Sequence, residues 1–143
     1  MEVPYKPFTY RNRGVPSQGI IWRPVLAIKI NYDHTPSKSF DAFLDSGSDY
    51  CFFHASIGAG IGIKIVQGTE GDLGGVISKT RSKIWYHDVQ LLIGQDRIHT
   101  KAGFSWDLDC NLLGQIGFFD HYRVEFNPLP HPPRVSLFRI PSN

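Results

Sequence analysis

The sequence predicts an all-β fold carrying one or two short helices. Three observations lead there. First, 14 glycines and 10 prolines in 143 residues, with 13% aromatics, favour many short strands joined by turns over long helices. Second, apolar residues recur with a period near two in several segments bounded by turn residues. Third, no helical heptad and no internal repeat is present. Length and a 41% hydrophobic content fit one domain with a buried core, residues 1–143.

Taken in order, residues 1–19 are polar and rich in Pro and Gly, an N-terminal arm with one strand-like patch at Phe8–Tyr10. Val25–Ile30 reads as a strand with an apolar face, Asp33–Ser39 as a turn, and Phe40–Leu44 as a second strand that runs directly into Asp45-Ser46-Gly47-Ser48. A short helix is expected within Tyr50–Ala59, closed by Gly60 or Gly62, and a strand over Ile61–Val66. Gln67–Gly75 has four glycines in nine residues and reads as a loop or hairpin. Val76–Lys83, Ile84–Ile93 and Ile98–Phe104 read as successive strands, with Gly94–Arg97 the clearest turn. Asn111–Gly114 reads as a short apolar strand, Gln115–His121 as a short helix and Tyr122–Phe126 as a strand. The tail 128–143 is Pro-rich, yet Val135–Ile140 alternates like one more strand. Periodicity does not separate a barrel from a sandwich.

The charge balance narrows the function classes. Net charge is +2, and the densest basic stretch, Lys79–Lys83, holds three charges, so neither nucleic acid nor a membrane surface is an expected partner. No run approaches the ~18 apolar residues of a membrane helix. Met1–Pro7 lacks the charged start and apolar stretch of a signal peptide, and the expected location is the cytoplasm. Cys51 and Cys110 read as free thiols in a reducing compartment, although their spacing also permits one bridge. The six histidines show no metal-ligand spacing, so no metal or other cofactor is expected. Gly58–Gly62 resembles a nucleotide loop but lacks a Lys within it and a following amphipathic helix.

One motif carries chemistry. Peptide hydrolysis by water needs one group that takes a proton and one that gives it. Two carboxylates a few ångströms apart do both, because they share a single proton. In Asp45-Ser46-Gly47-Ser48, Gly47 permits a tight turn beside the acid, the Ser46 hydroxyl can reach a second loop, and Ser48 can donate to the carboxylate's outer oxygen. Such a tetrapeptide also occurs as an ordinary Asx-type surface turn. Its flanks, Phe40, Phe43 and Leu44 before and Tyr50 to Phe53 after, argue for a buried loop instead.

Some sixty residues on comes Asn111-Leu112-Leu113-Gly114-Gln115-Ile116-Gly117-Phe118-Phe119-Asp120. With the Asp45 motif, this segment resembles the retropepsin-like aspartic proteases, single-domain relatives of pepsin, across Pro24 to Asn127. The resemblance implies a retropepsin-like closed β-barrel or sandwich, the acid protease fold. It implies an aspartic endopeptidase in which Asp45 pairs with Asp45 of a second copy, Ser46 links the two catalytic loops and Gly47 shapes each. Ser48, Asp49, Leu113 and Gly114 would support the loop. Leu73, Gly74, Gly75 and Val76 would form a flap closing over an extended polypeptide substrate. Retroviral members usually place Arg after the Leu-Leu-Gly element, paired with the acid after the catalytic turn. Here Asp49 is in place and Gln115 stands where the Arg would be. The segments Phe8–Tyr10 and Val135–Ile140 are expected to help pair the subunits.

Two other classes compete. One is a dimeric peptide-binding or scaffold domain of the same fold with weak or no turnover. The other is a thiol hydrolase built on Cys51, whose aromatic neighbours fit a packed core thiol better.

Overall fold

The computed structural model describes residues 1–11, 18–73 and 82–141. Thirteen strands and one short helix are present among them: β1 (Glu2–Pro4), β2 (Lys6–Arg11), β3 (Gln18–Arg23), β4 (Val25–Tyr32), β5 (Thr35–Pro36), β6 (Phe40–Leu44), β7 (Phe52–His54), α1 (Ala55–Ala59), β8 (Thr69–Leu73), β9 (Ser82–Ile93), β10 (Asp96–Ser105), β11 (Leu112–Leu113), β12 (Tyr122–Asn127) and β13 (Arg134–Arg139). The all-β class with a short helix is therefore what forms, and pairing decides for a barrel. The main sheet runs β5-β4-β6-β11-β7-β10-β9-β8, and a further β4–β9 pairing closes six of its strands into a ring.

Alternation explains the closure. On β4, Leu26, Ile28 and Ile30 point inward while Ala27 and Lys29 are exposed. On β9, Val89, Leu91 and Ile93 do the same. Pairing Ile30 with Leu91 brings the two apolar faces to one interior, where Phe53, Phe104 and Leu113 join them. Gly94, with φ of 58°, turns β9 into β10 through two residues.

A second sheet ties the chain ends together. β13 lies between β1 and β12, and the Met1 ammonium donates to the Leu137 carbonyl at 2.8 Å. Val135 and Leu137 thereby join the barrel's core. Within the chain, β13 pairs with β12 along Arg134–Arg139 and with β1 at Arg134–Ser136. The Phe8–Tyr10 patch is a strand with its partner in the same chain. It belongs to a hairpin in which β2 pairs with β3, and Phe8 packs on Phe43 with ring centroids 5.3 Å apart.

Three other expectations are corrected. Ile61–Val66 forms a turn leading into a 3-10 turn at Ile65–Gln67 rather than a strand, because Gly62 takes φ of 95° and reverses the backbone. Gln115–His121 forms consecutive turns rather than a helix. Gly117 at φ 98° breaks the helical path, and the bonds Phe119 N–H to Gly114 O and Asp120 N–H to Gln115 O span five residues instead of four. Ser82, Lys83 and Ile84–Ile93 form one continuous strand, since no turn residue separates them. Residues 76–81 lie outside the described part.

Candidate functional site

The Asp45 turn is built where two strands are pulled apart and a third passes between them. β6 delivers Asp45 and β7 leaves after Cys51. β11 lies between the two, parallel to β6 with Leu113 opposite Leu44, and antiparallel to β7 with Leu112 opposite Phe52. Beyond β11 the chain runs on alongside the turn. Gln115 N–H donates to Ser48 O and Ile116 N–H to Asp49 O, both at 2.8 Å, and Tyr50 bridges Ile116. On the near side Asp45 N–H donates to Leu113 O at 3.0 Å. Main-chain hydrogen bonds thus hold the turn at both its ends.

Inside the turn, Ser48 N–H donates to Asp45 O at 3.1 Å, and Gly47 N–H donates to the Asp45 carboxylate Oδ1 at 3.0 Å. Gly47 has no positive φ. Its small size matters instead, because a Cβ there would stand 3.3 Å from that same Oδ1. The Ser48 hydroxyl donates to Tyr50 O at 2.9 Å, not to the carboxylate. It closes the far end of the turn, a two-residue reach that a short hydroxyl side chain favours.

The turn is less enclosed than its apolar flanks suggested. Asp45 is half-buried, while Ser46, Gly47 and Asp49 are exposed. The flanking residues point the other way: Leu44, Cys51, Phe52 and Phe53 are all buried beneath it. An apolar flank fixes the base of a turn without covering its tip. Asp49, being exposed, also needs no cationic partner to offset burial. Gln115 instead uses its side-chain amide on the turn itself, donating to Ser46 O at 2.6 Å.

Two residues that were not singled out in the sequence also shape the site. Asn111 stitches β6 to β7. Its Nδ2 donates to Asp41 O at 3.0 Å, its Oδ1 accepts from His54 N–H at 2.9 Å, and its own carbonyl accepts from Phe43 N–H at 2.9 Å. An Asn just before an apolar pair is the only signal, and it is a weak one. Tyr86 of β9 packs against Tyr50 at 5.2 Å and Phe52 at 6.3 Å, making an aromatic patch between the turn and the β8–β9 pair. Burial first, then Tyr50 and Asp49, raise the Tyr86 phenol above its ordinary pKa. Gly74, Gly75 and Val76 lie outside the described residues; Leu73 ends β8, paired with Ser82.

No protein-family model and no curated protein matches this sequence. Among solved structures, the chain is similar to EIAV protease complexed with the inhibitor HBY-793. The two share 20% identity at a TM-score of 0.48, over 65% of this chain and 82% of that one.

The other acids are occupied or set apart. Asp41 is exposed and pairs with Lys6 at 2.6 Å. Asp107 and Asp109 are exposed on the loop before β11, and among the described residues no hydrogen bond joins either to the turn. Cys51 and Cys110 are both free. Cys51 is buried under the crossing, and its thiol is pushed up to about 12 by burial and, less, by Asp120, against a lowering hydrogen bond from the Gly114 backbone. Cys51 belongs to the packed core, and burial favours its neutral thiol over the thiolate a nucleophile needs. Cys110 is exposed; burial of part of its surface, then Asp109 and Asp45, raise its pKa, while Arg23 lowers it.

Proposed function

We propose that this chain is an aspartic endopeptidase that acts as a homodimer, with Asp45 of each copy forming the catalytic pair. One carboxylate takes a proton from water, whose oxygen attacks the peptide carbonyl. The other acid gives a proton to the departing nitrogen, and no covalent intermediate forms. The observation that carries this reading is the contrast within the turn. Its backbone is pinned from both sides by β11 and Gln115, yet the Asp45 side chain is left at the surface with one hydrogen bond among the described residues, from Gly47. A lone carboxylate on a rigid, outward-facing turn is half of a two-acid site, and a symmetric partner supplies the other half.

The aromatic patch of Tyr50, Phe52 and Tyr86 supports an extended, apolar substrate segment lying between the turn and the β8–β9 pair. Residues 73–76 would close over it as a flap.

The test is cleavage of an unstructured protein across mildly acid pH, with and without a statine-type inhibitor, and with Asp45→Asn beside the parent chain. Inhibited cleavage that Asp45→Asn abolishes is the expected result. A dimer that binds peptides and cuts none across a broad library would establish the alternative, a peptide-binding domain of this fold. Activity that survives Asp45→Asn would remove the protease assignment.

A further inference from the structure

We propose that Gln115 is a positioning residue for the Asp45 turn, one that braces it without any titrating group. The inference rests on the reading of Asp45 as a catalytic acid. Gln115 reaches two carbonyls of the turn, one on each side of Gly47: its backbone N–H donates to Ser48 O at 2.8 Å and its side-chain amide to Ser46 O at 2.6 Å. Its own backbone is fixed on both sides. Gly114 before it is wedged against Tyr50, and the Gln115 carbonyl accepts from Asp120 N–H at 3.0 Å. The side chain therefore extends from an anchored point to the carbonyl that follows Asp45.

Gln115 is exposed, and a hydrogen bond in that setting adds little to stability. What it fixes is the Ser46 peptide plane, hence the direction of the Gly47 N–H that donates to Asp45 Oδ1. A guanidinium–carboxylate brace holds only while the carboxylate is ionised. An amide-to-carbonyl brace is the same at every pH, which suits a site whose two acids must share a proton. The donor orientation of the amide follows from its partner, since a carbonyl oxygen only accepts.

The experiment compares the parent chain, Gln115→Leu and Gln115→Glu. It measures kcat and KM against pH, and amide hydrogen exchange at Gly47 and Ser48. The titratable groups on the segments bonded to position 115 are Asp45 and Asp49 on the turn and Asp120 and His121 beyond Gly117. Gln115→Leu is expected to lose kcat roughly tenfold at every pH, with little change in KM and faster exchange at both amides. Gln115→Glu is expected to behave differently at the two ends of the range. At acid pH its neutral carboxyl still donates to Ser46 O and activity stays near the parent. As the new carboxyl ionises it faces carbonyl oxygens and the carboxylates of Asp45, Asp49 and Asp120, so kcat falls roughly tenfold earlier on the alkaline limb. An unchanged kcat profile in both variants, or equal losses in both at all pH values, overturns the proposal. If the parent chain cleaves nothing, the protease reading has failed by itself. Exchange then decides: faster exchange in Gln115→Leu supports the brace, and unchanged exchange overturns it.

Discussion

Gly114 passes Tyr50 so closely that a β-carbon on it would lie 2.2 Å from the Tyr50 carbonyl oxygen and 2.6 Å from that of Ser48. Both obstacles are backbone, so neither can swing aside. Gly114→Ala must push the crossing segment off the turn, breaking the bonds from Gln115 and Ile116 to Ser48 and Asp49. A loss of about 3 kcal/mol is expected. Denaturant unfolding measures it, and a midpoint close to the parent's would show that the crossing is not so tight.

Asn111 offers a complementary test from the base of the turn. Asn111→Ala removes two side-chain hydrogen bonds and leaves the His54 N–H and Asp41 carbonyl without them. The expected cost is about 2 kcal/mol. Asn111→Asp should be the more informative change. It keeps the acceptor for His54 but cannot donate to Asp41 O, so about half the cost should return. Equal losses in the two variants would mean that the acceptor half of the bridge contributes nothing.

The two cysteines should report on the site independently of catalysis. At mildly alkaline pH an alkylating reagent should modify Cys110 alone in the folded chain and both thiols after unfolding. Asp45→Asn removes one of the negative charges that raise the Cys110 pKa, so alkylation should quicken roughly twofold. Folding stability should barely move, because the Asn oxygen can still accept from Gly47 N–H. Alkylation at the parental rate would place Cys110 farther from Asp45 than described. For Cys51 the linkage runs through a raised value: its contribution is intact below the unfolded thiol's pKa and is lost as pH climbs toward about 12. Stability should therefore decline with rising pH above about 9, less so in Cys51→Ala.

Much of the barrel was legible because strands such as β4 and β9 state their inward face every second residue. The candidate turn was legible as chemistry, through Asp45 and Gly47, but not as exposure. Leu44 and Phe53 are close to Asp45 in sequence, yet they describe what lies under the turn, and only the crossing of β11 decides which way its tip faces. Gly62 and Gly117 misled for a related reason. Each sits among Ile or Phe residues that suggest regular structure, while its positive φ ends that structure. Asn111 and Gln115 were visible as residues, but their hydrogen bonds stayed hidden because the partners, Asp41, His54 and Ser46, are 57 to 70 positions away. Hydrogen bonds of that range leave no local pattern.

The sheet that joins the two ends of the chain sets an order of assembly. β1 pairs with Arg134 to Ser136, and the Met1–Leu137 bond beside them spans 136 positions of chain. Every strand of the closed ring, and the crossing that shapes the Asp45 turn, lies between them. Loop-closure entropy therefore favours closing the ring around the turn first, after which the ends of β1 and β13 are already close and their pairing costs little.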